Sequence, residues 1–212
     1  MPGSMVILCS WLFLSSLVLL LLRETSATDD HATPLHISLF SPKKPRPNRP
    51  AGLADLRFCK ECESPRAEGS HIDALNSYQG PQSFDLVSEL IYAVPNDGSR
   101  PPMNPAQLSG SVALFDRGAV SLVEKVIHAQ NCGAVAVVLI DDGTCTDDGY
   151  SHCGAAGRLA DGGFAKRDRY DMWSKVEIPA VFITEGEGQR ILNNMHLEEV
   201  SIPGLGEQWV SV

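Results

Sequence analysis

The chain has 212 residues, of which 43% are apolar and 20% are charged, and its formal net charge is −9. These proportions are those of a globular protein and exclude a fully disordered, collagen-like or polytopic membrane chain. From residue 51 onward there are 12 basic and 23 acidic side chains, whereas a domain that reads nucleic acid carries a basic face. We therefore expect one acidic domain that does not bind nucleic acid.

An uncharged apolar run occupies residues 6–22, and Thr25 and Ala27 follow it at the two positions that a signal peptidase reads. This pattern predicts a signal peptide over residues 1–27, and a chain that is secreted or lies in the lumen of the secretory or vacuolar pathway. A retained membrane anchor is the alternative, because the run nears the ~18 residues of a spanning helix and no basic residue precedes it. Contact with a membrane is expected only in that case.

A basic, proline-rich stretch follows the first predicted strand, which itself follows a short segment at residues 28–34. Residues 41–50 hold four basic side chains and four prolines, and proline lacks a backbone donor and favours extended geometry. We interpret residues 41–52 as a solvated, semi-stiff insert that continues as a cysteine-containing insert to about residue 83.

Five cysteines follow the predicted signal peptide, and an oxidising compartment favours their pairing. We expect Cys132, at the end of an apolar helix, to be a buried unpaired thiol. The other four cysteines allow three connectivities. A bond between Cys145 and Cys153 is favoured, because both lie in one Gly- and Asp-rich loop. The disulfide candidates are Cys59, Cys62, Cys145 and Cys153.

Two alternatives compete with structural disulfides. One is a zinc site that adds His152 to the cysteines, and the other is a redox dithiol at Cys59 and Cys62. The zinc alternative lacks two close-spaced ligand pairs, and Cys59 follows a proline-rich stretch instead of opening a helix after a buried strand. We therefore expect no metal site.

The strongest local pattern is a strand, a helix and a second strand. Residues 111–115 are an apolar run that ends at an Asp-Arg-Gly turn, and Ser121 and Glu124 form a capping box at a helix start. Gly133 stands where a left-handed helix end is needed, and residues 134–140 are apolar throughout, as in a strand covered on both faces. The crossover is long enough for parallel strands.

Other elements follow from shorter patterns. A loop is predicted at residues 95–110, and Pro179, which lacks a ladder donor, places its strand at an edge or a bulge. Residues 206–212 are predicted to be a C-terminal tail. The predicted fold is α+β, an open β-sandwich or barrel with two short helices and one strand-helix-strand unit. The remaining strands are expected at residues 35–40, 86–94, 176–184 and 199–202, and the second helix at residues 187–195.

Residues 112–141, VALFDRGAVSLVEKVIHAQNCGAVAVVLID, resemble the signature of the protease-associated (PA) domain family. The likeness includes the Asp-Arg-Gly turn, the Lys-Val and Ala-Gln helix, the Gly-Ala pair and the buried strand. Residues 89–95 and 178–188 resemble flanking strands of the family, and we place a PA-like domain at residues 35–205. Val120 stands where the family often has a cysteine, so that family disulfide cannot form here.

The resemblance implies a noncatalytic β-sandwich module, and we expect it to bind a protein or peptide without a cofactor. Such modules occur as inserts in peptidases, in vacuolar sorting receptors and in membrane ubiquitin ligases, and as small secreted proteins, which this chain resembles most. The first alternative is an accessory or regulatory subunit of a peptidase or sorting receptor. The second is a thiol oxidoreductase that uses Cys59 and Cys62.

The ends of the predicted strands are the best candidates for a binding site, since the sequence has no zinc-protease, nucleophile-elbow or P-loop motif. Ligands of open α/β arrangements gather at the carboxyl ends of parallel strands, where three turns are expected to share one edge. Arg117 is expected to pair with a carboxylate, and a structural role, in which it and Asp116 satisfy each other, is the alternative. The candidate binding residues are Asp116, Arg117, Asp141, Asp142, Thr184 and Glu185.

The acidic loop at residues 141–149 is an alternative calcium site. Its clustered carboxylates and turn glycines suit a hard cation. It lacks the ligand spacing of an EF-hand, so we interpret it as a solvated turn.

Overall fold

The computed structural model describes residues 34–41, 53–59, 70–77, 80–143 and 170–212. The strands in these ranges are β1 (His36–Ser41), β2 (Leu53–Cys59), β3 (Ser70–Asn76), β4 (Phe84–Tyr92), β5 (Val112–Asp116), β6 (Ala136–Ile140), β7 (Ala180–Ile183), β8 (Leu197–Ile202) and β9 (Gly206–Ser211). The helices are α1 (Pro105–Leu108), α2 (Leu122–Asn131), α3 (Tyr170–Trp173) and α4 (Glu185–Leu192).

Seven strands close into a barrel in the order β1-β2-β3-β7-β6-β5-β4, and β4 pairs with β1 to complete the ring. The four strands from β4 to β7 are parallel neighbours, and the other pairings are antiparallel. The mostly β architecture with few helices confirms the coarse prediction. Of the predicted open β-sandwich or barrel, the barrel is observed, and it is closed because β2 and β3 connect β1 to β7.

The strands β2 and β3 lie inside the stretch that the sequence analysis treated as an insert. Both alternate apolar and polar residues, and Ala54, Leu56, Ile72 and Ala74 are buried in the barrel interior. A segment that supplies two of the seven barrel strands is part of the fold, so the insert interpretation is wrong for residues 53–59 and 70–76.

The strand-helix-strand unit is confirmed. The Ser121 side chain accepts a hydrogen bond from the Glu124 backbone N–H, and the Glu124 carboxylate accepts one from the Ser121 N–H at 3.1 Å. Gly133 adopts φ +81° after α2, which is the left-handed helix end that the sequence predicts. β5 and β6 run parallel with Leu114 opposite Val138.

Two apolar layers pack against the sheet. One fills the barrel, where side chains from all seven strands meet Ile191 of α4. The other covers the outside of β5, β6 and β7 with α2 and α3, and it includes Phe115, Val126, Trp173 and Phe182. Residues of β6 are therefore buried on both faces, as a continuous apolar strand requires.

Two smaller predictions are corrected. The loop at residues 95–110 contains the short helix α1, which begins with Pro105 at a position where a missing N–H costs nothing. Pro179 precedes β7, and its carbonyl accepts a hydrogen bond from Val137 N–H at 3.0 Å. β7 therefore lies between β3 and β6 and not at an edge.

The predicted C-terminal tail is also wrong. Residues 206–211 form β9, which pairs antiparallel with β8 as a separate two-stranded sheet. The segment has no clear alternation in hydropathy, and it is hydrogen-bonded to Tyr92 and Asn96, as described below.

Several sequence predictions fall outside the described residues. These are the signal peptide at residues 1–27, most of the basic insert, and the candidates Cys62, Cys145 and Cys153.

Cys59 ends β2 and is not a free thiol, and its pairing stays a prediction. Cys132 is a free, half-buried thiol at the end of α2, and burial raises its pKa. Among the described residues, no helix combines the length and apolar character needed to cross a membrane.

Candidate functional site

The carboxyl ends of the four parallel strands surround one cavity of about 580 Å³. Two backbone hydrogen bonds hold the strand ends side by side: Arg117 N–H donates to the Ile140 carbonyl at 2.8 Å, and Asp141 N–H donates to the Ile183 carbonyl at 3.0 Å. The cavity is lined by Tyr92, Asp116, Arg117, Ile140, Asp141, Asp142, Glu185, Gln189, Leu192, Asn193, Met195, Leu197 and Trp209.

A buried ion pair forms the floor of this cavity. Arg117 Nη1 donates to Asp141 Oδ1 at 2.7 Å, and the two side chains are 10% and 0% exposed. The guanidinium also lies 4.0 Å from Asp142 Oδ1 through its Nε, and its central carbon is 5.9 Å from the centroid of the Phe182 ring. Because the charge of Arg117 is largely matched by Asp141, the pair adds little net positive charge to the cavity.

Tyr92 and Asp116 form a second buried polar contact. The Tyr92 hydroxyl donates a short hydrogen bond to Asp116 Oδ2. Burial raises the pKa of Tyr92 far above its usual value, and the Asp116 charge raises it further. Burial also raises the pKa of Asp116, although the Tyr92 hydrogen bond and the Lys125 charge oppose that shift. The phenol therefore keeps its proton and stabilises the carboxylate beside it.

A buried asparagine brings β9 to the cavity. Asn96 Nδ2 donates to the Trp209 carbonyl and Asn96 Oδ1 accepts from the Trp209 N–H, both at 2.9 Å. The Asn96 N–H donates to Gln208 Oε1 at 2.9 Å, and the Tyr92 N–H donates to Ser211 Oγ at 3.0 Å. These bonds fix Trp209 in the cavity wall, where it remains 44% exposed.

The helix α4 forms the opposite wall. Thr184 caps it by accepting a hydrogen bond from the Glu187 N–H, and the carboxylates of Glu185 and Glu187 lie in its first turn, which stabilises the positive end of the helix dipole. A Cβ built on Gly188 would meet Ile140 Cγ2 at 2.2 Å, so the backbone of α4 packs directly on β6. The Glu185 carboxylate in turn lies over Gly143, 2.6 Å from the position of a Cβ there.

Comparison with known protein families identifies the family to which this barrel belongs. The model of the PA domain matches residues 85–191, which include the strand-helix-strand unit and the strand ends around the cavity. The chain belongs to the protease-associated domain family. The matched region begins in β4, so the PA match does not include β1, β2 or β3.

Two individual comparisons accompany the family match. The chain is 30% identical over 109 residues to the human ER degradation-enhancing alpha-mannosidase-like protein 3, and this covers 51% of the chain and 11% of that protein. The chain thus spans about a tenth of the length of this curated relative. The solved aminopeptidase from Aneurinibacillus sp. strain AM-1 is 17% identical, with a TM-score of 0.38 over 76% of this chain and 29% of that one.

The structure brings together five of the six candidate residues of this PA domain. Asp116, Arg117, Asp141, Asp142 and Glu185 line the cavity, whereas Thr184 is buried and caps α4. Arg117 pairs with a carboxylate as predicted, but with Asp141 and not with Asp116, so the structural alternative has the wrong partner. The apolar wall and Tyr92 were not predicted, although Tyr92 lies within the predicted strand at residues 86–94 and is the last residue of β4.

Lys125 is a second residue of the PA domain that the sequence analysis missed. Its side chain is fully buried, and its Nζ donates to the Gly118 carbonyl at 2.6 Å and to the Asp97 carbonyl. The ammonium thus links the loop after β4 to the turn after β5 and lowers the pKa of Asp116 through its charge. Lys125 lies beside the apolar positions Leu122 and Val126 of α2, but no local sequence pattern indicates the carbonyls that accept from its ammonium.

Proposed function

We propose that this chain is a noncatalytic PA-domain module that binds a peptide or protein segment in the cavity at the carboxyl ends of β4 to β7. The observation that carries the proposal is the position of Trp209. Its large side chain is 44% exposed in the cavity wall, and aromatic residues such as tryptophan are enriched where proteins bind partners.

The charges around the cavity indicate the kind of ligand. Four carboxylates and one guanidinium line it. Arg117 is paired with Asp141, and Asp116 accepts the Tyr92 hydroxyl. The carboxylates of Asp142 and Glu185 lie at the exposed rim, where Asp142 Oδ1 is also 4.0 Å from Arg117 Nε. We infer a ligand that places a lysine or arginine at this rim and an apolar side chain against Trp209.

The lining residues support binding more than catalysis. Among the described residues of the cavity wall there is no Ser, Thr, Cys, His or Lys side chain, so the candidate acids, bases and nucleophiles there are the carboxylates and Tyr92. The two most buried carboxylates are held by Arg117 and Tyr92, which suits a fixed scaffold. We therefore propose binding without chemistry, and the thiol oxidoreductase stays an untested alternative.

We place the chain in the secretory pathway, either secreted or in a lumen. The predicted signal peptide supports this location, and the human relative carries the endoplasmic reticulum in its name. The matching region of that relative belongs to a much longer protein, which favours the accessory or regulatory subunit as the second candidate. In that case the ligand of the cavity is a segment of a peptidase or sorting receptor.

The test uses a displayed library of random peptides selected on the full chain. We expect the bound peptides to be enriched in lysine or arginine next to an apolar residue. The double variant Asp142→Lys, Glu185→Lys should weaken binding of a selected peptide at least tenfold, about 1.4 kcal/mol, because like charges then meet at the rim.

The matched control is Glu177→Lys, an exposed charge reversal before β7, at the other end of the barrel. It should bind the peptide as the wild type does. Selection of peptides without basic residues would contradict the proposed ligand, and equal binding by the double variant and the control would contradict the proposed site.

A further inference from the structure

Three metal-ligating side chains meet on the outside of the barrel. Asp55 on β2 lies directly opposite Asp73 on β3, and His71 precedes Asp73 by two residues, so all three project from the same face. None of them lines the cavity described above, and the family match begins after them. The group is therefore independent of the proposed peptide site.

The ligand atoms of this group lie close enough together to share one metal ion. Each residue offers one ligand atom, and these atoms lie within 4.8 Å of one another. His71 Nε2 is 3.4 Å from Asp73 Oδ1 and 2.7 Å from Asp55 Oδ1. Ligand bonds of about 2.0–2.2 Å give a tetrahedron whose edges are roughly 3.4 Å. The distance from His71 Nε2 to Asp73 Oδ1 already has this value. The distance from His71 Nε2 to Asp55 Oδ1 must increase, which a rotation of the exposed imidazole allows.

The electrostatics of the strand pairing also favour a bound cation. The Asp55 side chain is only 8% exposed, while His71 and Asp73 are 43% and 50% exposed. Like charges directly opposite each other on neighbouring strands are destabilising, and a cation bound to both carboxylates relieves this repulsion. His71 Nε2 is within 4 Å of both carboxylates, so a cation bound at this nitrogen would interact with both of them.

The donor set selects the kind of ion. An imidazole favours zinc and the later first-row metals, whereas Ca²⁺ takes six to eight oxygen ligands. One imidazole nitrogen and two carboxylates suit Zn²⁺ with a fourth position that is open to water. The backbone supports the three residues, since β2 and β3 form a continuous antiparallel ladder that extends from the pair Leu53–Leu75 to the pair Phe58–Ser70.

We propose that Asp55, His71 and Asp73 bind one Zn²⁺ ion on the outer face of β2 and β3. The ion replaces any proton on His71 Nε2 and neutralises the two facing carboxylates. It thereby fastens together two strands that close the barrel. The competing arrangement is a metal-free ion pair, in which a protonated His71 bridges the two carboxylates, and the two differ in the number of bound metal ions.

The experiment measures zinc stoichiometry by equilibrium dialysis of the full chain after removal of metal with a chelator. We expect the wild type to bind one equivalent more than the His71→Asn variant. Cysteine-based zinc binding elsewhere in the chain is the same in both and cancels in the difference. The control His196→Asn removes an exposed histidine outside the group, and it should bind as the wild type does.

A second variant and a second readout guard against a loss of fold. Asp73→Asn changes a half-exposed side chain and should weaken the same equivalent at least tenfold. In the wild type, Zn²⁺ should shift the His71 ring Nε2 resonance, whereas Ca²⁺ at the same concentration should leave it unchanged. Equal zinc stoichiometry in the wild type and both variants, or an unshifted His71 resonance, would overturn the proposal in favour of the metal-free ion pair.

Discussion

We expect the substitution Arg117→Met to lower the free energy of unfolding by about 3 kcal/mol or more. It removes the guanidinium from a pair in which Asp141 has no exposed surface. The carboxylate then remains buried without its positive partner, and this desolvated charge is the source of the loss. Methionine keeps most of the side-chain volume, so the effect reports the charge and not a cavity. Urea denaturation at neutral pH measures it.

The matched control is Arg190→Met, which breaks the ion pair between Arg190 and Glu187 on the exposed surface of α4. A solvated pair of this kind contributes about 0 to 1 kcal/mol. Equal losses from the two substitutions would show that burial does not set the strength of the Arg117 pair. The ion pair between Arg117 and Asp141 would then stabilise the floor of the cavity no more than a solvated ion pair would.

Gly188→Ala is the substitution with the second-largest expected effect. The added methyl would stand 2.2 Å from Ile140 Cγ2 and within 3.1 Å of two further atoms of the same side chain. Alanine favours a helix over glycine by about 1 kcal/mol, but overpacking at a buried contact costs about 1 to 3 kcal/mol. We expect a net loss of stability in thermal or urea unfolding, and weaker peptide binding, because α4 must move away from β6.

The control is Gly186→Ala, on the exposed surface of the same helix. There the helix preference of alanine is expected to act alone, so this variant should be at least as stable as the wild type. If Gly188→Ala were also stabilising, α4 would not rest on β6 as closely as the structure requires.

The sequence was most informative where one local rule determined the structure. The capping box of Ser121 and Glu124, the left-handed Gly133 and the apolar run of β6 each act through neighbouring atoms, and each prediction is confirmed. The candidate site followed from the same unit, because parallel strands with a helical crossover must end at a common edge. This edge carries five of the six candidate residues around one cavity.

The remaining features depend on contacts between residues far apart in the chain. β2 and β3 follow a proline-rich stretch, and only their pairing with β1 and β7 shows that they close a barrel. β9 is held by Asn96, more than 100 residues earlier in the chain. No periodicity in residues 206–211 indicates such a partner, so the aromatic wall of the cavity was beyond local prediction.

Lys125 illustrates the same limit within a correctly predicted helix. A lysine in α2 is normally expected at the solvent face, and the apolar spacing of the helix says nothing about the carbonyls of Asp97 and Gly118 that receive its ammonium. Its burial follows from the way two loops converge above α2. Such convergence is set by the closed barrel and not by the helix sequence.

The most direct test of the peptide-binding site follows two indole signals during a titration of the full chain with a selected lysine-containing peptide. Trp209 lies half-exposed in the cavity wall, and Trp173, the last residue of α3, is buried against the outside of the sheet. In nitrogen–proton correlation spectra, we expect the chemical shift of the Trp209 indole signal to change with peptide concentration, while the chemical shift of the Trp173 indole signal stays constant. A peptide that binds while the Trp209 signal remains unchanged would contradict the proposed site.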